Sequence, residues 1–254
     1  MQTGYYDAAA GMVTQFNRLN NISNNLANVN TTGFKEDNLI VGDFQRIYKE
    51  ARDELPLDNN TKQSAKFLNR TMVKSPQIVD EYTDYSVGNM QKTDNPLDFS
   101  LSREGLFFAV KTPEGIRLTR DGSFTKNEDG TLVTKQGYEV LPSDYFQTKS
   151  SIKIGDKVSS IEVDKNGQIS TNLPSSVKYT QGSRLFISNP DSMQKLKKTG
   201  DNLYIYDGIE NSLSSNESGT VLQGFVEKSN VNAVKEMTAL IETNRLVGMY
   251  QKVM

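Results

Sequence analysis

The N-terminal end of the chain contains, at residues 12–35, the stretch MVTQFNRLNNISNNLANVNTTGFK. Its apolar side chains recur at steps of four, three, three, four and three residues, a mean of about 3.4 that is typical of a coiled-coil-like helical seam. We call these residues the N-terminal seam: Met12, Phe16, Leu19, Ile22, Leu26 and Val29. The spacing predicts a helix over residues 3 to about 32 that turns this seam toward another surface and stops near Gly33.

Asparagines form a second stripe on the same predicted helix. This amide stripe consists of Asn17, Asn21, Asn24 and Asn28. At 100° per residue it lies about 180° from the N-terminal seam. Asparagine is a poor helix former, and exposed helix faces normally carry Lys and Glu. A solvated polar face is one interpretation, and the one that we favour is an amide face that packs between neighbouring chains.

The C-terminal end of the chain is also predicted to be helical and amphipathic. From near Gly224 onward, apolar residues fall close to one face: Val231, Val234, Met237, Leu240, Ile241 and Val247. A 30-residue helix is about 45 Å long, so neither terminal helix is expected to bury its stripe fully against a small β domain. Pairing the two helices, and stacking such pairs between subunits, would solve this problem.

The middle of the chain shows repeated turn signals between short alternating segments. They are Pro113–Gly115, Asp121-Gly122, Asp129-Gly130, Gln136-Gly137 and Asn166-Gly167. This pattern is typical of short antiparallel strands. The predicted fold is α+β, with the N- and C-terminal helices paired in a coiled-coil-like helical domain and a central, mainly antiparallel β domain. We divide the chain into an N-terminal helix (1–34), an extended connector (35–85), the β domain (86–215) and a C-terminal helix (216–254).

Composition excludes several classes of function. The 29 basic and 31 acidic side chains give a formal net charge of −2, which argues against a general nucleic-acid binder. The chain has no Cys, His or Trp, which excludes catalysis by a thiol, by a His-containing triad or by zinc held through nitrogen or sulfur. The longest apolar run, Leu106–Val110, is far shorter than the ~20 residues of a membrane-spanning helix, and no signal-peptide pattern is visible. We therefore expect no cofactor, no metal and no membrane insertion.

Two pairs of carboxylates are the remaining candidates for catalysis. Asp94 with Asp98, or Asp121 with Asp129, would suit a glycosidase, which needs two acids near a sugar bond. However, Asp121 and Asp129 each precede a glycine in a turn, where Asp is favoured for backbone reasons. Residues 121–130 also lack the ligand spacing of a calcium loop. We interpret these aspartates as turn residues and expect no enzyme.

Residues 24–35 closely resemble the N-terminal signature of bacterial flagellar rod and hook proteins. The signature residues are Asn24, Asn25, Leu26, Ala27, Asn28, Val29, Asn30, Thr31, Thr32, Gly33, Phe34 and Lys35. The middle of the chain is similar to the β core of the basal-body rod proteins at NPLD (95–98), TRDGSF (119–124), DGTLVT (129–134) and GDNLY (200–204). The end resembles their C-terminal helix at Glu227, Ser229, Asn230, Val231, Glu236, Met237, Leu240, Ile241 and Arg245.

Within this family the chain resembles the two related types called FlgF, of the proximal rod, and FlgG, of the distal rod. We favour the proximal type because Leu246, Val247 and Gly248 replace the Ala-Tyr-Glu that usually follows the arginine in the distal type. The strand entry at Arg103-Glu104-Gly105-Leu106 also departs from the family's usual Gly-Asp-Gly-Phe.

The resemblance implies a structural subunit of the flagellar basal-body rod. Such subunits are exported unfolded from the cytoplasm by the flagellar type III export apparatus, without a cleaved signal peptide. They polymerise as a helical tube, together with other rod proteins, in the part of the flagellum that spans the periplasm. The implied role is a hollow axial drive shaft that transmits torque and conducts exported subunits.

Two alternatives come from other classes of protein. A self-contained secreted binding module or adhesin would recognise a ligand with its β domain, and it predicts a compact monomer with ordered ends. A carboxylate glycosidase acting on cell-wall glycan would use the aspartates named above. The first of these is the stronger alternative to a rod subunit.

Overall fold

The computed structural model describes residues 2–43, 76–155, 160–172, 180–209 and 220–253. Over these ranges the chain is α+β, with a helix near each end and antiparallel strands between them, as the sequence predicts. The helices are α1 (Gln2–Ala27), α2 (Tyr145–Thr148) and α3 (Ala233–Val253), and a 3-10 turn spans Met193–Lys195. The strands are β1 (Asp37–Asp43), β2 (Pro76–Thr83), β3 (Met90–Lys92), β4 (Phe99–Leu101), β5 (Phe107–Thr112), β6 (Gly115–Thr119), β7 (Phe124–Lys126), β8 (Leu132–Thr134), β9 (Glu139–Val140), β10 (Ser160–Val163), β11 (Gln168–Asn172), β12 (Thr180–Arg184), β13 (Ile187–Ser188), β14 (Lys197–Thr199), β15 (Leu203–Ile205), β16 (Val221–Gln223) and β17 (Phe225–Glu227).

The chain divides into two compact units. The helical unit comprises Met1–Asn28, Glu36–Asp84 and Val231–Met254, and the β unit comprises Val29–Lys35 and Tyr85–Asn230. The stretch predicted as an extended connector supplies the strand pair β1 and β2 of the helical unit. Its middle, residues 44–75, lies outside the described residues.

In the helical unit, α1 contacts both α3 and the antiparallel pair of β1 and β2. The Asn25 side chain, only 1% exposed, joins α1 to the start of β1. Its Nδ2 donates to the Asp37 carbonyl at 2.8 Å, and the Asp37 amide donates to its Oδ1 at 3.1 Å. One side-chain amide thus satisfies both backbone groups of a buried strand residue, which would otherwise be costly to leave unpaired.

Both terminal helices are shorter than the sequence predicts. Helix α1 ends at Ala27, and the chain passes through turns to Gly33, whose φ of +69° is a left-handed conformation that favours glycine. Helix α3 begins at Ala233 and not near Gly224, because residues 225–227 form β17, which pairs with β3. Asn232 caps α3, since its Oδ1 accepts from the amides of Val234 at 3.1 Å and Lys235 at 3.2 Å.

The β unit is built around an antiparallel sheet in which β5 pairs with β6, β9 and β13. Successive residues of β5 enter two different cores, because side chains alternate across a strand. Phe108 and Val110 belong to one cluster, with Phe99, Phe124 and others, whereas Phe107 and Ala109 belong to a second with Tyr204. The central strand is therefore buried on both faces.

The predicted turn signals coincide with chain reversals in the β unit. The turns at Pro113–Gly115, Asp129-Gly130 and Gln136-Gly137 connect β5 to β6, β7 to β8 and β8 to β9. Asn166-Gly167 connects β10 to β11, and Asp121-Gly122 lies between β6 and β7. These local predictions are confirmed.

Replacing Asn25 with Ala should lower the free energy of unfolding by about 1–3 kcal/mol, because it removes two buried hydrogen bonds to the amide and the carbonyl of Asp37. The matched control is Asn24→Ala, a neighbouring exposed asparagine, which should change stability by no more than about 0.5 kcal/mol. Urea unfolding of the full chain, followed by far-UV circular dichroism, measures both. Equal losses in the two variants would contradict this role for Asn25.

Candidate functional site

Residues 32–35, the end of the signature stretch, are held inside the β unit. The Thr32 hydroxyl donates to Asp121 Oδ1 at 2.8 Å, and Asn202 Nδ2 donates to the Thr32 carbonyl at 2.8 Å. The next amide, of Gly33, donates to the Glu227 carbonyl at 2.8 Å. Three distant parts of the chain therefore bind two consecutive residues.

Only glycine fits at position 33. A Cβ there would lie 2.5 Å from the backbone carbon of Arg120 and from the amide nitrogen of Asp121. Because these are backbone atoms, they cannot rotate away as a flexible side chain would. The close approach and the positive φ together explain why the chain requires glycine at position 33, where it enters the β unit.

The aromatic ring of Phe34 is 5% exposed and is covered by Lys198. The Lys198 ammonium lies 3.9 Å from the ring centroid, a cation–π geometry. The same ammonium donates to the Lys35 carbonyl at 3.0 Å. Lys198 thus fixes both the side chain and the backbone at the end of the signature.

Lys35, Arg120 and Glu227 form a buried charge cluster. Lys35 Nζ lies 2.5 Å from Glu227 Oε1, and Arg120 Nε lies 2.5 Å from Glu227 Oε2. Each of the three side chains is about 1% exposed. Both carboxylate oxygens of Glu227 are consequently paired with a cation, as a buried carboxylate requires.

Other donors of the two cations bind backbone carbonyls. Arg120 Nη2 donates to the carbonyls of Leu101 at 2.9 Å and Arg103 at 2.7 Å, and Nη1 donates to the Leu106 carbonyl. Lys35 Nζ also donates to the Ser86 carbonyl at 2.6 Å. The charge cluster therefore organises backbone in several loops of the β unit.

The charge cluster brings together segments that the sequence analysis quoted separately. Lys35 ends the N-terminal signature, Arg120 lies in TRDGSF and Glu227 precedes the C-terminal helix. Sequence reasoning gave Arg120 and Glu227 no role. The signal left unused was a charged side chain in each of two segments, one interpreted as β core and the other as the start of the C-terminal helix.

Among the described side chains of the two terminal helices, the buried ones are mostly small or polar. They are Ala8, Thr14, Gln15, Ile22 and Asn25 on α1, and Glu236, Thr243 and Val247 on α3. Gly11 of α1 lies so close to Tyr250 of α3 that a Cβ would come within 2.7 Å of the ring. The described buried positions of α1 and α3 therefore include few large apolar side chains.

Large apolar side chains of the same helices are exposed. On α3, Val234, Met237 and Ile241 are 74%, 52% and 59% exposed and lie at helical spacing along one face. We call these three residues the α3 stripe. Tyr5, Val13 and Phe16 of α1 and Met249 of α3 are exposed as well.

The residues predicted for assembly are distributed between buried and exposed positions. Of the N-terminal seam, Ile22 is buried, Phe16 is exposed, and the others are intermediate: Met12, Leu19, Leu26 and Val29. In the amide stripe, Asn17 and Asn24 are exposed, and Asn21 and Asn28 are intermediate. Of the C-terminal set, the buried members are Ser229, Val231 and Glu236, the intermediate members are Asn230 and Leu240, and the exposed members are Val234, Met237, Ile241 and Arg245.

The candidate catalytic aspartates have structural partners. Asp121 Oδ1 accepts from Thr32 and from the Ser123 amide, and Asp98 accepts from Thr93 at 2.7 Å and Asn95 at 3.0 Å. Asp94 and Asp129 are exposed. In the part of the chain that the structure describes, no group of three or more Asp or Glu side chains is placed to hold a metal ion. None of the described helices is long and apolar enough to cross a bilayer.

Acidic side chains of the helical unit meet at the start of α3. Glu236 is buried, and this burial, together with the negative charge of Glu36, raises the pKa of its carboxyl. A hydrogen bond from Asn25 and the charges of Lys235 and Arg18 act in the opposite direction. Lys235 Nζ lies 3.1 Å from Glu36 Oε1, and this hydrogen bond raises the pKa of Lys235.

Three family models match separate parts of the chain. Residues 6–35 match the flagella basal body rod protein family, residues 104–171 the flagellar hook protein FlgE/F/G D1 domain, and residues 222–254 the flagellar basal body rod FlgEFG protein C-terminal family. The first and third of these matches contain Lys35 and Glu227, and the second contains Arg120.

Similar proteins match almost the whole chain. Flagellar basal-body rod protein FlgG of Agrobacterium fabrum is 32% identical, over 97% of this chain and 92% of that protein. Flagellar basal-body rod protein FlgF of Caulobacter vibrioides is also 32% identical, over 100% of this chain and 93% of that protein. FlgF of Rhizobium meliloti is 29% identical, over 96% and 89%.

Replacing Glu227 with Gln should destabilise the β unit by about 3–5 kcal/mol, because it leaves two buried cations without their counter-ion. Glu139→Gln is the matched control, since Glu139 pairs with Lys111 at 3.7 Å in a half-exposed position where the loss should be about 0–1 kcal/mol. Urea unfolding of both full-length variants measures the difference. A loss for Glu227→Gln no larger than that of the control would contradict the importance of the charge cluster.

Replacing Glu236 with Gln should change how stability depends on pH. Because its folded-state pKa is raised above the ordinary value of 4.5, the folded chain holds this proton more tightly than the unfolded chain. The stabilisation is present below pH 4.5 and is lost as the pH rises through the raised value, so the variant should gain stability relative to the unmodified chain over that interval. Urea unfolding across this range measures it, with the exposed Glu242→Gln as the control. Parallel curves for Glu236→Gln and the unmodified chain would refute the prediction.

Proposed function

The chain belongs to the flagellar basal-body rod protein family of the FlgF/FlgG type, and from this premise we propose that its copies polymerise through their terminal helices into a hollow helical tube. As a member of this family it is a structural subunit of the rod in the flagellar basal body, where it assembles with other rod components. What we propose beyond the family membership is which surfaces of this chain join neighbouring copies.

The observation that carries the proposal is the exposure of the α3 stripe. Val234, Met237 and Ile241 lie on one face of α3, while the buried positions of that helix include Glu236 and Thr243. A helix that served only its own unit would bury its apolar residues and expose its polar ones. This reversed distribution supports a second copy of the chain as the partner of the exposed face.

Burial of the α3 stripe would supply a substantial driving force. A large apolar side chain contributes about 1.5–3 kcal/mol when it passes from full exposure to full burial, and the three residues are 52–74% exposed, so they contribute roughly 3–6 kcal/mol before ordering costs. In a helical polymer the same contact repeats at every subunit. Even part of this free energy therefore favours the assembled state.

Exposed positions of α1 extend the proposed interface. Phe16 of the N-terminal seam is 42% exposed, and Tyr5 and Val13 of the same helix are exposed as well. We assign the amide stripe a secondary role in packing between copies. Asn17 and Asn24 are exposed, and the residues four positions after them, Asn21 and Asn28, are also uncharged. Amide groups can hydrogen-bond to one another in either direction, which suits contacts between identical helices.

Further parts of the proposal rest on the family membership. We infer a coiled-coil-like pairing of the terminal helices within the tube, export by the flagellar type III apparatus, and an axial shaft that transmits torque and conducts exported subunits. The rod position stays a prediction, since the FlgG of one relative and the FlgF of another are both 32% identical to this chain. The proximal type rests on residues 246–248 alone.

The proposed interface is tested by Met237→Asp combined with Ile241→Asp in the full chain. Each change puts a carboxylate on an exposed apolar position, so the monomer should keep its circular dichroism and unfolding midpoint while incorporation into rods is lost at least tenfold. Incorporation is measured by recovery of the protein in isolated basal bodies from cells that carry the variant as their only copy.

Glu242→Gln is the control for this test, because Glu242 is an exposed neighbour of Ile241 outside the α3 stripe. It should be incorporated as the unmodified chain is. Normal incorporation and motility of the double variant would refute the proposed interface.

A further inference from the structure

The chain passes between the helical unit and the β unit at four points, after Asn28, Lys35, Asp84 and Asn230. Within the β unit, the segments next to these points are residues 29–35, 85–89 and 227–230. They are far apart in sequence, since Lys35 and Glu227 are separated by 192 residues. Any force carried along the chain enters the β unit through these segments.

These segments are joined to one another by hydrogen bonds inside the β unit. The Gly33 amide donates to the Glu227 carbonyl at 2.8 Å, and the Gly88 amide donates to Glu227 Oε1 at 2.9 Å. Lys35 Nζ bridges the Ser86 carbonyl at 2.6 Å and the Glu227 carboxylate at 2.5 Å. Glu227 therefore belongs to the third segment and is hydrogen-bonded to the other two.

Further hydrogen bonds join residues 227–230 to residues 85–89. The Lys228 amide donates to the Asn89 carbonyl at 2.9 Å, and Asn230 Nδ2 donates to Ser86 Oγ at 3.2 Å. Arg120 holds the Glu227 carboxylate from the core side through Oε2. Because the side chains of Lys35, Arg120 and Glu227 are about 1% exposed, water cannot replace the bonds between them as they stretch, and these bonds are stronger than similar bonds at the surface.

We propose that the charge cluster of Lys35, Arg120 and Glu227 is the mechanical joint of the subunit. It locks the segments at all four crossings to each other and to the core of the β unit, so that torque loads them together and not one after another. The proposal rests on the proposed function, because it assumes a shaft under torsion. It assigns the N-terminal signature a role in transmitting force in addition to any role in assembly.

The first test is hydrogen exchange of the full-length Lys35→Met chain. This variant leaves the Glu227 carboxylate paired with Arg120 and with the Gly88 amide, so the carboxylate keeps a counter-ion and the β unit keeps its fold. Loss of a charge-assisted bond should speed exchange about tenfold or more at the amides of Gly33, Gly88 and Lys228 together. The Ala109 amide, which donates to Phe186 in the core, should be unchanged.

The matched control is Lys111→Met, which removes a half-exposed lysine from its pair with Glu139. It should leave exchange at Gly33, Gly88 and Lys228 unaltered. Faster exchange at one of the three amides only, or an equal increase throughout the β unit, would overturn the joint.

The second test is swimming under load by cells whose only copy of the rod subunit is the variant. Lys35→Met should give a normal number of rods, counted by electron microscopy, and a loss of swimming speed that grows as the medium is made more viscous. The same loss at every viscosity, or none, overturns the joint. If the variant forms no rods, hydrogen exchange alone decides, whereas absence of rods with the unmodified chain refutes the proposed function instead.

Discussion

The buried carboxylate of Glu227 is the interaction on which the organisation of the β unit depends. Removing a carboxylate from water costs several kcal/mol, and Glu227 recovers that cost only because Lys35, Arg120 and the Gly88 amide all point at it. Apolar side chains of equal volume would fill the same space, but they would fix neither the direction nor the register of the segments around them. The cluster therefore contributes geometry more than net stability, and Gly33 follows from it, since only glycine brings the signature backbone close enough to Arg120.

The helical unit differs from the β unit in where its apolar side chains lie. Among its described residues, the buried side chains of α1 and α3 are mostly small or polar, with Gly11 against Tyr250 and Asn25 bound to the backbone of Asp37, while Phe16, Met237 and Ile241 are exposed. Isolated helices are marginal in water, and most helical stability in proteins comes from burying an apolar face. The β unit has two apolar cores of its own, so it needs no neighbour to be complete. In the proposed assembly, the exposed apolar side chains of α3 would be buried by another copy of the chain.

The sequence predicted those features that are local and could not predict those that are not. Turns such as Asp129-Gly130 are set by two adjacent residues, and the α+β class follows from periodicity within short windows. The period of the N-terminal seam identified a helix. However, an apolar face has the same period whether it is buried within the subunit or exposed for contact with another copy. The sequence therefore could not tell that Phe16 is exposed. Arg120 and Glu227 are 107 residues apart, and neither carries a local signal for the other. The helix end at Ala27 was missed because the signature continues without a break in composition.

The signature stretch of residues 24–35 belongs partly to the helical unit and partly to the β unit. Its first part lies in α1, where Asn25 binds the start of β1, and its last part lies in the β unit, where Thr32 binds Asp121. An ordinary linker between two units would be rich in flexible residues and would leave its side chains free. Here the residues on either side of the crossing are anchored, each within its own unit, by buried or partly buried hydrogen bonds. In the proposed assembly, force applied along the chain at this crossing would therefore reach residues that are anchored within each unit.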